Sequence, residues 1–306
     1  MRKTCLDMIF ELAKNDSRIV FIGSDLGTGT MESFRAEMPE RFFMEGISEA
    51  NIIGMASGLA MEGKIPYVNT IASFITRRAY EQVLLDVCLH NLNVRFIGNG
   101  GGLVYAPLGP THTTIEDIAA MRCIPNMTIV APADANEMRQ FMVKTIDYSG
   151  PIYVRLAKGY DPIVTHKNIP FVIGKAVNMK KGNDAAIFTT GITLNIALEC
   201  ADELMEKGIE VSVIHLPTIK PLDKEIIQFI DKVPVIVTIE EHSIIGGLGS
   251  AVGEFILEEN TLSTKKLKRI GIPDIFPDEY GSQASLMDRF SINKVSLINT
   301  ILQLLK

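Results

Sequence analysis

The chain contains 306 residues, 47% of them hydrophobic, and its 30 basic and 36 acidic residues give a net charge of −6. This length suggests about two domains, each able to bury its own core. The longest nearly uninterrupted apolar stretch, 52–61, is far shorter than the ~20 residues of a membrane-spanning helix. No signal peptide and no basic cluster typical of nucleic-acid binding is readable. Four cysteines without C-x-x-C spacing indicate reduced thiols, so we expect a cytoplasmic protein that binds neither membrane nor nucleic acid.

Short β-branched runs alternate with helical patterns along the first half of the chain. Such alternation is typical of mostly parallel sheets covered by helices on both faces. The predicted strands cover 19–22, 67–70, 94–97, 128–130 and 152–156, and the predicted helices cover 52–62, 78–90 and 136–148.

The pattern loosens between residues 157 and 184, where Pro and Gly occur in a polar context, and then resumes. We therefore expect an α/β fold of two doubly wound domains, at 1–160 and 185–306, joined by a linker at 161–184. In the second, smaller domain the predicted strands cover 186–189, 210–214, 235–239 and 268–271, and the predicted helices cover 194–207, 224–231, 250–258 and 294–305.

Three generic motif searches leave the chemistry open. The five histidines are scattered and no Cys pair has zinc-finger spacing, so we expect no metal site in this chain. Residues 246–253, GGLGSAVG, have Val252 where a dinucleotide fingerprint needs its third glycine, which favours tight packing over nicotinamide binding. Residues 98–102, GNGGG, end a predicted strand and open a loop that leads to His112. That loop is either a ligand site at the edge of the sheet or a surface turn.

Residues 46–60, GISEANIIGMASGLA, predict a helix with Glu49 in its first turn. Ser48 can cap this helix, and an acidic residue there suits the helix dipole. The small residues predict that another helix or backbone comes close. A carboxylate buried at such a contact needs a partner to offset its desolvation, whereas an exposed one only complements the dipole.

This stretch resembles the pyrimidine-binding domain of the transketolase family of thiamine diphosphate enzymes. The resemblance continues, in order, through SFITRRAYEQV (73–83), GPTH (109–112), IPNM (124–127), APAD (131–134) and GPIYVRLAKG (150–159). The residues EEH (240–242) and the glycine run 246–253 resemble the carboxyl-terminal domain of that family. The resemblance therefore covers nearly the whole chain, and residues 77–82 look most like the deoxyxylulose-phosphate synthases within the family.

The resemblance implies a set of residues that bind the cofactor, thiamine diphosphate. Glu49 matches the catalytic glutamate that hydrogen-bonds N1′ of the aminopyrimidine and so helps to generate the base of the reaction. Phe74 matches the aromatic residue that stacks on the pyrimidine, and Asp25 matches an acidic residue near the cofactor. Arg77 matches a basic position near the substrate or its phosphate, and we group it with the cofactor-binding residues.

The resemblance also implies a set of substrate-binding residues. His112 matches the catalytic histidine that handles a substrate oxygen, and Lys158 and Arg155 match basic groups near the substrate. Leu108 stands where the family usually has an aspartate that contacts a donor hydroxyl, and Gly100 stands where transketolases of the pentose pathway have a phosphate-binding histidine. These two departures predict a specialised ketose donor or acceptor, because unpaired polar groups discriminate strongly between substrates.

Family members hold Mg²⁺ and the diphosphate with a Gly-Asp-Gly motif, which this sequence lacks. We therefore expect a split transketolase: this chain is the carboxyl-terminal subunit, and a partner subunit holds Mg²⁺ and the diphosphate. The expected assembly is α2β2, with self-association through this subunit, and the expected reaction is two-carbon ketol transfer between sugars. The alternatives are a deoxyxylulose-phosphate-synthase-like or 2-oxo acid dehydrogenase β-type subunit, both decarboxylating, or a non-catalytic module.

Overall fold

The computed structural model describes residues 1–24, 31–157, 159, 161–259 and 265–306, which form two sheets with helices on both faces. The strands are β1 (Ile19–Gly23), β2 (Phe42–Met44), β3 (Ile65–Ile71), β4 (Arg95–Asn99), β5 (Thr128–Val130), β6 (Ile152–Leu156), β7 (Val177–Lys180), β8 (Ala185–Thr189), β9 (Val211–His215), β10 (Thr218–Lys220), β11 (Val235–Ser243) and β12 (Lys266–Ile272). The helices are α1 (Arg2–Asn15), α2 (Glu32–Glu37), α3 (Glu49–Met61), α4 (Tyr80–Gln82), α5 (Asp117–Arg122), α6 (Ala135–Lys144), α7 (Thr193–Glu206), α8 (Ile227–Ile230), α9 (Leu248–Glu258), α10 (Gln283–Arg289) and α11 (Lys294–Leu305).

The first sheet has seven strands in the order β10-β5-β6-β4-β3-β1-β2. All neighbours pair in parallel except β10, which returns from the second half of the chain and pairs antiparallel with β5. The strands β1, β4, β5 and β6 are buried at every position, as expected for a sheet covered on both sides. Helices α1 and α6 pack together on one face, and α3 packs on the other.

The second sheet has five strands in the order β12-β11-β8-β9-β7, and only β7 among them pairs antiparallel. Two apolar clusters cover its faces, one including α7 and α11 and the other including α8 and α9. The prediction of two α/β domains with mostly parallel sheets is confirmed. No helix in the described ranges is both long and apolar enough to cross a membrane.

The structure contains elements that were not predicted, and two predicted helices differ in type. Strand β2 and the helices α1, α2, α5 and α10 had no prediction, and the helix predicted at 224–231 is a 3-10 turn, Lys224–Ile226, followed by α8. Strands β7 and β10 were not predicted, because they are short and their polar residues give no alternating pattern; β7 lies inside the segment predicted as the linker. The helix predicted at 78–90 is instead the single turn α4, flanked by the π-helical segments Phe74–Arg78 and Val83–Cys88. The hydroxyl of Thr76 donates to the carbonyl of Ala72 at 2.9 Å, the kind of local bond that distorts a regular helix.

Candidate functional site

The candidate site lies at the carboxyl edge of the first sheet. Phe74 follows β3, His112 lies on the loop after β4, and Glu49 is the first residue of α3. In open parallel sheets this edge is the usual place for ligands, because the connections that leave the strands meet there.

Glu49 is a buried carboxylate with one unpartnered oxygen. Its side chain is 4% exposed, and Oε2 lies 3.3 Å from Nη1 of Arg78. Oε1 accepts no hydrogen bond from the described residues. Ser48 is the N-cap residue, as predicted, but its side chain accepts no hydrogen bond from the helix backbone, and its hydroxyl donates to the carbonyl of Glu45 at 2.9 Å. Oε1 of Glu49 is therefore available to accept a hydrogen bond from a donor outside the described residues.

The Phe74 ring contacts both Arg78 and His112. The guanidinium of Arg78 lies over the Phe74 ring, 3.8 Å from its centroid, which is a cation–π contact. The His112 ring meets the same ring edge-on, with centroids 5.3 Å apart and planes at 64°. Nδ1 of His112 lies 2.8 Å from the hydroxyl of Thr111, which leaves Nε2 to a ligand. Three predicted site residues, Glu49, Phe74 and His112, are therefore neighbours linked through Arg78 and Phe74.

Further buried polar atoms mark the ends of β3 and β4. Nδ2 of Asn69, Oγ of Ser73 and Oδ1 of Asn99 are buried and have no hydrogen-bond partner among the described residues. Nδ2 of Asn99 donates to Oδ1 of Asn69 at 2.7 Å, so each amide has one atom satisfied. A buried polar group without a partner costs free energy, which indicates that this edge is built to contact something else.

The loop after β4 forms the wall of the site beside His112. Gly100 has φ +71°, and a Cβ there would lie 2.1 Å from the ring of Tyr105. The Tyr105 ring in turn stands edge-on to His112, with centroids 6.5 Å apart. Leu108 is 50% exposed, and the neighbouring Gly109 packs against Tyr280. Where we predicted a pocket lacking two polar groups, the structure has an aromatic and aliphatic wall.

Arg77 is exposed, but its donors are directed at the loop that carries His112. It bonds the carboxylate of Glu116 at 2.5 Å and donates to the carbonyls of Pro110 and Thr113 at 3.2 and 2.9 Å. In this arrangement Arg77 braces the loop. The guanidinium that contacts Glu49 and Phe74 belongs to the next residue, Arg78.

Arg155, predicted as a substrate-binding residue, is buried and paired. It donates to the carboxylate of Asp117 at 2.8 Å and to the carbonyl of Glu241 at 2.8 Å. The hydroxyl of Tyr153 donates to the same carboxylate at 2.8 Å. Burial alone would lower the pKa of Arg155, but the nearby carboxylates, led by Asp117, raise it above its usual value. No described contact brings Arg155 to Glu49, Phe74 or His112.

Two predicted residues, Asp25 and Lys158, lie outside the described residues. Among the residues that are described, no group of three His, Cys, Asp or Glu side chains could hold a metal ion.

Two residues near the site were not predicted. Arg78 follows Phe74 by four positions, a spacing that places two side chains on one helical face and that could have indicated the contact. Tyr105 had no such signal, because its contact with Gly100 depends on the path of an irregular loop.

The small-residue face of α3 is open. At Gly54 and Gly58 no described atom beyond the adjoining backbone of the helix itself lies within 4 Å of where a Cβ would be. The close neighbour that we expected for this face is therefore not provided by the described part of the chain.

Comparison with known proteins identifies the class. The family model "Transketolase, pyrimidine binding domain" matches residues 1–160, and "Transketolase, C-terminal domain" matches residues 174–296. Both models describe domains of the transketolase family, which is a class of thiamine diphosphate-dependent enzymes. The chain belongs to the transketolase family.

Relatives of similar length indicate which type of transketolase chain this is. The chain is 36% identical to the 6-deoxy-6-sulfo-D-fructose transketolase subunit SqwH of Clostridium sp. (strain MSTE9), over 97% of this chain and 92% of the relative. It is also 36% identical to one of the subunits of an apulose-4-phosphate transketolase from Phocaeicola vulgatus, over 100% of this chain and 97% of the relative. A solved structure described as a split gene transketolase, inactive beta4 tetramer, has a TM-score of 0.90 at 34% identity and covers 99% of this chain and 97% of its own. These matches confirm the prediction of a carboxyl-terminal, split-transketolase type of chain.

Proposed function

We propose that this chain, with a diphosphate-binding partner subunit, transfers a two-carbon ketol unit from an anionic ketose to an aldose. The observation that carries the proposal is the buried Glu49 carboxylate, whose Oε1 has no described hydrogen-bond donor, beside Phe74 and His112. Domain limits of 1–160 and 185–306, with a linker at 161–184, are part of the proposal.

The residues at the site fit thiamine diphosphate. Oε1 of Glu49 can hold a proton at N1′ of an aminopyrimidine, and Phe74 offers a ring for stacking. When bound, the cofactor supplies a nucleophilic carbon that carries the two-carbon unit between sugars. From the resemblance we add Asp25 and Arg77 as cofactor contacts, with Mg²⁺ held by the partner subunit. Arg78 covers one face of Phe74, so a stacked ligand uses the other face or displaces the guanidinium.

His112 and the loop around it are proposed to bind the sugar. Because Nδ1 of His112 is taken by Thr111, Nε2 is the atom that meets a substrate oxygen. Leu108 and Gly100 lack the polar side chains that the resemblance leads us to expect in a pentose-phosphate transketolase, and Tyr105 lies against Gly100. The two relatives compared above are named for a sulfonated and a phosphorylated sugar. We therefore propose an anionic sugar, with Lys158 as the basic group that the resemblance implies. Arg155, which the resemblance also implies, is proposed to act only through the loop that it bonds at Thr114, because its donors already go to protein oxygens.

An α2β2 assembly in the cytoplasm, with self-association through this subunit, is part of the proposal. The open face of α3, with its small residues next to Glu49, supports a contact between chains. A relative that forms a beta4 tetramer described as inactive supports the need for a partner of another kind. Neither nucleic acid nor membrane is a proposed partner.

The proposal is tested by reconstitution. The chain is mixed with its diphosphate-binding partner, thiamine diphosphate and Mg²⁺, and aldehyde release from ketose phosphates is compared with CO2 release from pyruvate. We expect aldehyde release from the pair only, and loss of at least about 100-fold in kcat for Glu49→Gln because base generation is lost. Glu62→Gln, an exposed residue just after the other end of the same helix, is the matched control and retains activity.

A decarboxylating enzyme would give the opposite pair of products in the same assay. CO2 release from pyruvate without aldehyde release would favour a deoxyxylulose-phosphate-synthase-like or 2-oxo acid dehydrogenase β-type subunit. A reconstituted pair in which Glu49→Gln leaves turnover unchanged would leave only the non-catalytic module.

A further inference from the structure

The loop that carries Tyr105, Leu108 and His112 is closed at its base and bound to the second sheet. Gly102 and Thr114 exchange both backbone hydrogen bonds at 2.8 Å, which makes residues 102–114 a closed loop. We call this segment the 102–114 loop. Its position relative to Phe74 and Glu49 depends on what holds its base.

Glu241, near the carboxyl end of β11, reaches this base from the second sheet. Its Oε1 accepts the backbone N–H of Leu103 at 2.8 Å and the side-chain amide of Gln283 at 2.8 Å. The fit is close, since a Cβ on Gly102 would lie 2.5 Å from Cδ of Glu241. The carboxylate is 3% exposed, and burial raises its pKa to about 7 despite the attraction of Arg155. A charged group is buried here at a cost, and its described contacts go to the loop and to Gln283.

Nearby contacts attach the same end of β11 to the loop. The backbone N–H of Ser243 donates to the carbonyl of Ile115 at 2.8 Å. Arg155 bridges the carbonyls of Thr114 and Glu241, at 3.3 and 2.8 Å. The end of β11 thus holds the loop base at adjacent points. Among the described side chains of the second sheet, Glu241 is the one that bonds the backbone of the 102–114 loop, whereas Arg155 and Arg77 bond it from the first sheet's side.

We propose that Glu241 is a positioning residue, which holds the 102–114 loop so that His112 and Tyr105 face Phe74 and Glu49. Glu241 touches neither substrate nor cofactor in this assignment. Through it the second domain determines the geometry of a site built on the first. The kinetic part of this inference rests on the proposed function, whereas the structural part does not.

The chain provides a matched control in the preceding residue. Glu240 is also buried on β11 and also accepts two hydrogen bonds, in its case from the backbone N–H groups of Leu248 and Gly249 at 2.6 and 2.8 Å. Burial raises its pKa as well. Glu240, however, bonds the start of α9 and has no described hydrogen bond to the 102–114 loop.

Hydrogen exchange of the free chain tests the structural part without any partner. We expect Glu241→Ala to speed exchange in residues 102–114 at least tenfold and to leave residues 248–258 unchanged. Glu240→Ala is expected to do the reverse, and Glu241→Gln, which keeps an acceptor oxygen, to restore protection of the loop. If Glu241→Ala does not fold, Gly102→Ala disturbs the same contact from the loop side and should give the same local pattern.

Steady-state kinetics of the reconstituted enzyme tests the positioning. We expect Glu241→Ala to lower kcat/KM for the ketose at least tenfold, with Glu241→Gln and Glu240→Ala within threefold of the unmodified enzyme. Unchanged loop exchange in Glu241→Ala, or equal acceleration everywhere in both alanine variants, would overturn the proposal. Faster loop exchange with unchanged kcat/KM would overturn it too. An inactive unmodified pair would count against the proposed function, and hydrogen exchange would still decide whether Glu241 holds the loop.

Discussion

Arg155 offers the sharpest test of whether a predicted basic residue serves the substrate or the fold. The perturbation is Arg155→Met, which keeps the length of the side chain and removes the guanidinium. The substitution leaves the Asp117 carboxylate fully buried, with only the Tyr153 hydroxyl still bonded to it and Oδ1 already unpartnered among the described residues. It also removes the donor from the carbonyls of Thr114 and Glu241.

The expected cost follows from this geometry. Removing one partner of a buried ion pair costs about 3 to 5 kcal/mol, mostly because the remaining charge stays buried and unpaired. By contrast, Arg18 forms an exposed ion pair with Asp16, and Arg18→Met is expected to cost less than about 1 kcal/mol. In Arg155→Met with Asp117→Asn the buried charge is gone, so the double variant is expected to be less destabilised than the sum of the single variants.

Urea denaturation of the free chain measures these differences, at one fixed protein concentration because self-association would add to the apparent stability. A second measurement compares KM for the ketose in the reconstituted enzyme at a temperature where each variant is folded. If Arg155→Met lost less than about 1 kcal/mol of unfolding free energy and raised KM tenfold or more, the assignment of Arg155 to the fold would be refuted. The substrate role suggested by the resemblance would then stand.

Three further changes test other parts of the structure. Burial raises the pKa of Glu241 to about 7, so between about pH 4.5 and 7 the folded state binds a proton that the unfolded state has lost. Relative to Glu241→Gln, the unfolding free energy should therefore fall by up to about 3 kcal/mol as pH rises from about 4.5 to above 7. A difference between the two proteins that does not vary with pH would contradict this. Burial alone would raise the pKa of Asp134, but hydrogen bonds from four backbone N–H groups and one hydroxyl lower it. In urea titrations, Asp134→Asn should lower the unfolding free energy by roughly 2 kcal/mol at pH 7. This difference should shrink only as pH falls below about 4. Gly100→His should lower the melting temperature, because the added Cβ would overlap the Tyr105 ring. Adding Tyr105→Gly should restore part of the loss. Equal melting temperatures for Gly100→His and the unmodified chain would contradict the contact.

Sequence reasoning predicted those parts of the fold that depend on repeating patterns. The strand predicted at 152–156 and the helix predicted at 294–305 match their observed bounds, because apolar residues recur there with the period of a buried strand and of a helix. The edge strand β10 could not be predicted, since its pairing with β5 depends on a contact across almost 90 residues. The broken helix around α4 could not be predicted either, because periodicity does not distinguish α-helical from π-helical turns.

For the site, the sequence could indicate residue types but not the direction in which side chains point. Arg77 and Arg155 were both predicted as basic groups near a ligand, yet the arginine that contacts Glu49 and Phe74 is Arg78, which was not predicted. Arg77 points at the 109–113 backbone and Arg155 points into the interior. Phe74, Arg77 and Arg78 all lie in the π-helical segment Phe74–Arg78, whose turn is wider than that of an α-helix. The spacing of four residues between Phe74 and Arg78 could have indicated their contact, but the π-helical turn itself leaves no pattern in a single sequence.

The first sheet carries the site and the second sheet holds the loop beside it, and this explains why buried charges lie at the end of β11. The first sheet presents Glu49, Phe74 and His112 at its edge, but His112 lies on a long irregular loop that its own strands do not cover. A loop of this kind needs fixed attachments if its histidine is to stay within about half an ångström of a productive position. Glu241 and Arg155 supply attachments that an apolar contact could not, because hydrogen bonds to Leu103 and Thr114 fix direction as well as distance. The buried carboxylate that costs stability is therefore also the group whose hydrogen bond fixes the loop. A variant with an apolar residue at position 241 should hold the loop less well, even where that variant is more stable.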